Sequence, residues 1–139
     1  AALAHVEDPT LALRDVDAIT VGKTPAAGRP VKAFNPIARV DRQLFGALLS
    51  GDHILHGFTN GDLRDKLRTT QFRLRDHAKT RSSQVSRLLH RLHVYGLVAK
   101  IPHSRRWRVS AWGYRILSAS IRLREIQFPF LHAGVANPA

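Results

Sequence analysis

Two sets of side chains in this sequence have the types and spacing to do chemistry. The first is small. Eight histidines include two pairs three residues apart, His53 with His56 and His90 with His93. His90 and His93 stand on an expected helix, where a spacing of three shares a face and imidazoles can bind a metal ion. Structural zinc wants four ligands, and neither pair is completed to such a set, so no metal site is expected. His90 is read instead as a base- or phosphate-facing residue, and His53 and His56 as surface or interface residues. Asp62 and Asp65 are the nearest thing to a carboxylate pair. A nuclease or transposase needs clustered carboxylates for metal ions, whereas these two balance Arg64, Lys66 and a helix N-terminus. There is no cysteine, hence no thiol nucleophile, thiolate site or disulfide. No Gly-rich phosphate loop or nucleophile elbow is present either. The sequence predicts no enzyme and no cofactor.

The second set is basic. Lysine and arginine number 22 against 10 acidic residues, a net charge of +12 over 139 residues. Residues 64–108 carry thirteen basic residues against Asp65 and Asp76, while residues 1–20 are net acidic. Arginine outnumbers lysine 17 to 5, and its fork bonds phosphate or guanine bidentately. The partner implied is a polyanion. Hydrophobic residues at 44% exclude wholesale disorder. The longest apolar runs, such as Gly96–Ala99, fall far short of the roughly 20 residues of a membrane span. No charged-then-apolar leader is seen. The chain begins in Ala and contains no Met, which predicts a trimmed start or a piece of something longer.

These groups need elements to position them. Residues 1–36, with four prolines and no sustained apolar period, read as an extended arm or linker, with a short helix at 11–19 capped by Thr10. From residue 37 the pattern is firm. Ile37, Val40, Leu44, Phe45, Leu48 and Leu49 predict a helix over 37–49. An extended piece, 53–58, follows. Thr59 or Asn60 then caps a brief helix holding Leu63 and Leu67. The basic stretch 68–81 reads as an inserted loop, or as an extension of that helix followed by a turn. Ser82 or Ser83 starts the clearest helix: Val85, Leu88, Leu89 and Leu92 form one apolar face, and Gly96 sits at a left-handed cap. Ser83, Arg87, His90 and Arg91 point the other way. Two short strands, 97–101 and 105–110, flank the turn Pro102-His103-Ser104, and Trp107 alternates with arginines so as to face the core. Ser110 caps a last helix with Trp112, Ile116, Ala119, Leu123 and Ile126 on one stripe. Residues 129–139 read as a tail. The fold class expected is α+β, mostly helical: a winged helix-turn-helix over 37–128 with a two- to three-stranded antiparallel wing sheet.

The run 82–125 resembles the recognition helix, wing and closing helix of bacterial winged-helix regulators of the MarR type. Within that class it is more similar to the C-terminal region of a long bacterial protein family of unassigned function. The residues carrying the resemblance are Leu13–Asp17, Gly57–Asn60, Ser83–Leu89, Arg91–Val98, Trp107 and Leu123–Glu125. The basic stretch 68–81 is longer than that family's connection, and the wing strand holds arginines where its relatives have tyrosine. The resemblance implies a transcriptional regulator, or the DNA-binding part of a larger mobile-element-like protein, in the bacterial cytoplasm at the nucleoid.

The site expected from these readings has three parts. Ser82, Ser83, Gln84, Ser86, Arg87, His90 and Arg91 would face the major groove, Gln84 reading adenine and Arg87 or Arg91 guanine. His103, Ser104, Arg105, Arg106 and Arg108 would hold backbone or minor groove from the wing. Arg73, Arg75, Lys79 and Arg81 would touch phosphates. The partner is double-stranded DNA; the rival readings are a winged helix docking acidic proteins, and RNA binding. A weak homodimer through Trp112, Ile116, Leu117, Ile121 and Leu123 is also expected, or packing of that surface on the rest of a longer chain.

Overall fold

The computed structural model describes residues 15–26 and 28–127. The described chain is α+β and mostly helical. After a 3-10 turn at Asp17–Ile19 come helices α1 (Arg39–Leu48), α2 (Gly51–His56), α3 (Asn60–Arg68) and α4 (Ala78–Val94). Strands β1 (Val98–Lys100) and β2 (Trp107–Val109) pair antiparallel, with Ala99 opposite Arg108, and α5 (Ala111–Gln127) closes the order. The expected tail 129–139, residues 11–14 of the expected first helix and the Ile126 side chain lie outside the described residues. No described helix is long and apolar enough to cross a membrane.

Helix α1 forms where its period demands, burying Leu44, Phe45 and Leu48. Ile37 and Val40, expected on that apolar face, are exposed instead. The expected extended piece at 53–58 is a helical turn, α2, up to His56. Its β-like composition misleads, because Ile54 and Leu55 face solvent and only His53 turns inward. Gly57 ends the turn at φ 72°, ψ −174°, a conformation open essentially to glycine. A Cβ there would meet the Trp107 carbonyl oxygen at 2.7 Å. That close approach lets Phe58 exchange both backbone bonds with Trp107, at 2.9 and 2.7 Å. The third strand of the expected sheet is thus reduced to one residue.

Helix α3 opens on a reciprocal cap. Thr59 Oγ1 accepts from the Asp62 N–H at 3.1 Å, and Asp62 accepts from the Thr59 N–H at 2.9 Å. That backbone donor holds the Asp62 carboxyl below its usual pKa. Helix α4 starts at Ala78, four residues before the expected Ser82, and buries Val85, Leu89 and Leu92. Gly96, at φ 74°, supplies the left-handed residue that turns the chain into β1. Ser110 accepts from the Gly113 N–H at 2.8 Å and caps α5.

Residues 15–26 and 28–36 do not form the expected linker. Val16, Ile19 and Phe34 belong to the same buried cluster as the helices, and Lys23 bridges Val31 antiparallel. The buried Tyr95 hydroxyl accepts from the Lys23 N–H at 3.1 Å and lies 2.9 Å from the Val31 carbonyl oxygen. The packed unit therefore reaches back to residue 15 rather than starting at 37. Helix α5 also departs from expectation. Ile116 and Leu117 are fully enclosed in the chain's own core, so neither is available to a second copy. Trp112, Ile121 and Leu123 are only partly buried against that core.

Candidate nucleic-acid interface

At about 100° per residue, the buried stripe of α4 leaves an arc on its other side. Lys79, Ser83, Arg87 and His90 occupy that arc, and all are exposed. Gln84 and Ser86 stand about 160° apart across that arc, one at each margin, and each ties down a different segment.

On one margin the Gln84 amide grips the connection between α3 and α4. Its Oε1 accepts from the Arg75 N–H at 2.9 Å, and its Nε2 donates to the Arg73 carbonyl at 3.0 Å. Arg81 donates from Nη1 to the Arg75 carbonyl at 3.2 Å and also to the Asp76 carbonyl. Phe72 and Leu74 turn inward against the core, so Arg73 and Arg75 turn out. The basic stretch is thus a turn at 69–71, a connection over 72–77 and the first turn of α4.

On the other margin Asn60, the first residue of α3, donates to the Ser82 carbonyl and to Ser86 Oγ, both at 3.0 Å. This fixes α3 against α4. The β1–β2 turn comes to the same side, with Arg106 Nη1 lying 3.4 Å from the His56 carbonyl oxygen and 3.9 Å from the Asp62 carboxylate. Inside the turn Ser104 Oγ donates to the Ile101 carbonyl at 2.8 Å and accepts from the Arg106 N–H at 3.0 Å. His103 takes the left-handed conformation at φ 58°, and Arg105 and Arg108 project outward.

Several expected contacts are thereby revised. Gln84 cannot offer a free amide to adenine while both of its ends are bound to the connection. Arg91 is turned away from the arc. Its guanidinium donates to the Lys32 carbonyl at 2.9 Å and to the Ala33 carbonyl, and lies 3.8 Å from the Phe34 ring centroid. It also lies 3.9 Å from the Asp41 carboxylate, so it is a structural tie and not a base reader. Ser82 and Ser83 stand in the second turn of α4, not at its start. Arg81 and Ser104 brace their own loops, and Arg106 is partly held by α2 and α3. Lys79, Ser83, Arg87, His90, Arg73, Arg75, Arg105, Arg108 and His103 remain outward. Among the described residues no ion pair engages Arg73, Arg75, Lys79, Arg87, Arg105 or Arg108. Asn60 escapes the sequence reading, because nothing in its local pattern tells which helix its amide meets.

Trp107 is half-buried against the core, beneath Lys100 at 4.9 Å and edge-on to His93, which agrees with its expected inward face. Among the described residues no group of three or more His, Asp or Glu is placed to hold a metal ion. His53 is buried, against expectation, with its ring 5.0 Å from that of Phe58. Burial lowers its pKa, with the Ala47 backbone pulling the other way, and its Nδ1 has no partner. The unfolded chain then binds this proton more readily than the folded one. Stability from His53 should be full above about pH 6.5 and fall as the pH drops through and below that value. Urea midpoints at neutral and mildly acidic pH check this. His53→Leu should flatten the dependence, and an unchanged pH profile in that variant would refute the assignment.

No protein-family model, curated protein or solved structure matches the chain.

Proposed function

We propose that this domain is a winged helix-turn-helix that binds double-stranded DNA without catalysing a reaction. Helix α4 enters the major groove with Lys79, Ser83, Arg87 and His90 toward the bases. The connection bearing Arg73 and Arg75 grips phosphate on one side, and the wing, with Arg105 in its turn and Arg108 on β2, does so on the other. One observation carries the reading: the exposed, cationic arc of α4 has the basic connection fastened at one margin through Gln84, and at the other margin α3, fastened through Asn60, with Arg106 of the wing turn set against it. A groove about 12 Å wide admits one helix, and its two rims are phosphate backbones. Elements on both flanks of the helix are what such a partner needs. The MarR-like pattern of the run 82–125 points the same way, with transcriptional regulation as the role it would serve.

The flanks and the arc should fail differently. Arg87→Ala should reduce discrimination between a selected duplex and a scrambled one by about 1–3 kcal/mol. Arg73→Ala with Arg75→Ala should weaken binding to every duplex alike and lower the salt slope by about 2. Competition titrations at several salt concentrations separate the two. Discrimination lost with the connection pair and kept in Arg87→Ala would reverse the assignment.

A further inference from the structure

The segment 20–36 has the composition of a linker, yet the structure clamps it to α4 with arginine- and tyrosine-specific contacts. Those contacts fall along one line of the helix. Gln84, Arg91 and Tyr95 are seven and eleven residues apart, which at about 100° per residue keeps them within roughly 20° of a single edge. Gln84 fastens the connection 73–75 to that edge near the start of α4. Arg91 fastens Lys32 and Ala33 farther along it, and Tyr95 fastens Lys23 and Val31 at its end. Two basic segments therefore follow one another along the same margin of the exposed arc. The second lies roughly 10–16 Å farther along the axis, at about 1.5 Å per residue. Its cations Arg29 and Lys32 are exposed, and among the described residues neither side chain has an ion pair.

We infer that this strap is a second phosphate-gripping element, placed by Arg91 and Tyr95 so that Arg29 and Lys32 meet the same DNA strand as Arg73 and Arg75, several nucleotides farther on. The inference rests on the duplex-binding reading above and extends it. A helix seated in the major groove presents each of its edges to one phosphate rim, so whatever is fastened along that edge follows the same strand. The clamp is suited to this role. It engages the strap through backbone carbonyls and the Phe34 ring, which leaves the Lys32 side chain free to reach outward. A strap held only for stability would not need basic side chains on its outer side.

The test is a surface double variant, Arg29→Ala with Lys32→Ala, compared with the wild-type chain on the same duplex. Both side chains are exposed and neither makes a bond in the core, so the fold should persist, which circular dichroism and a thermal melt would verify. The expected result is a duplex affinity weaker by about 3–10-fold near 0.1 M salt. The logarithmic salt slope should be shallower by about 1–2, for one or two lost phosphate contacts. The loss should be equal for preferred and scrambled sequences. A folded double variant with wild-type affinity and slope would overturn the inference and leave the strap as a structural brace. If the wild-type chain itself bound no duplex, the reading beneath it would fail instead. Should the double variant melt early, single variants at Arg29 and Lys32 decide the matter in the same way, each expected to lower the slope by about 1.

Discussion

Replacing Gly113 by alanine should destabilise the protein by at least about 3 kcal/mol, although glycine in a helix is ordinarily the worse residue. Gly113 lies in the first turn of α5, pressed against the residue that leads into β1. A Cβ there would sit 2.0 Å from the Leu97 carbonyl oxygen and 2.7 Å from its carbonyl carbon. Neither can yield cheaply, because that oxygen also accepts the Ser110 N–H at 3.1 Å and Leu97 is fully buried. The helix would have to lift from the sheet, taking the Ser110 cap with it. Gly46 gives the internal control. It is exposed in α1, with nothing within 4 Å of a Cβ, so Gly46→Ala should stabilise by about 0.5–1 kcal/mol. Denaturant unfolding of the two variants should show shifts of opposite sign. If both shifted the same way, the close approach of α5 to β1 would be wrong.

Arg91→Ala should cost about 3 kcal/mol of stability. The guanidinium satisfies the carbonyls of Lys32 and Ala33, covers the Phe34 ring and faces Asp41. Asp41 itself accepts the Asn35 N–H at 2.7 Å, so the same cluster joins the strap, α1 and α4. Truncation leaves two strap carbonyls without a donor and a mostly buried carboxylate without its cation. Arg91→Lys should recover little, since an ammonium cannot bridge two carbonyls while lying flat on the ring. Unfolding midpoints and hydrogen exchange at residues 31–35 measure the effect. Normal stability with lost base discrimination would return Arg91 to the reading role that its sequence position invites.

The helical frame was legible in the sequence wherever a period or a cap carries its own meaning. Val85, Leu89 and Leu92 mark the inner face of α4, and Gly96 marks its end by needing a positive φ. Thr59 with Asp62 announces the start of α3 through a contact that spans only three residues. The start of α4 was not legible, because Lys79, Thr80 and Arg81 contain nothing apolar to extend the period back to Ala78. Helix α2 was hidden for the opposite reason, since its apolar Ile54 and Leu55 face solvent. The candidate site divides along the same line. That Arg87 and His90 point outward follows from helix geometry alone. That Gln84 and Arg91 do not depends on which backbone comes alongside them. For Arg91 those partners stand 58 and 59 residues away. Residue type identifies a strong donor, but only the tertiary arrangement decides whether a carbonyl of the chain or a group of a partner receives it.

The most direct test of the central proposal is a titration of the wild-type chain with labelled duplex DNA at about 50 and 200 mM salt. Four phosphate contacts would weaken binding by roughly 100-fold across that interval, with a logarithmic slope near −3.6. Measurable binding at the lower salt with a steep loss at the higher is the result the account requires. No duplex binding at about 50 mM salt, or binding indifferent to salt, would contradict it.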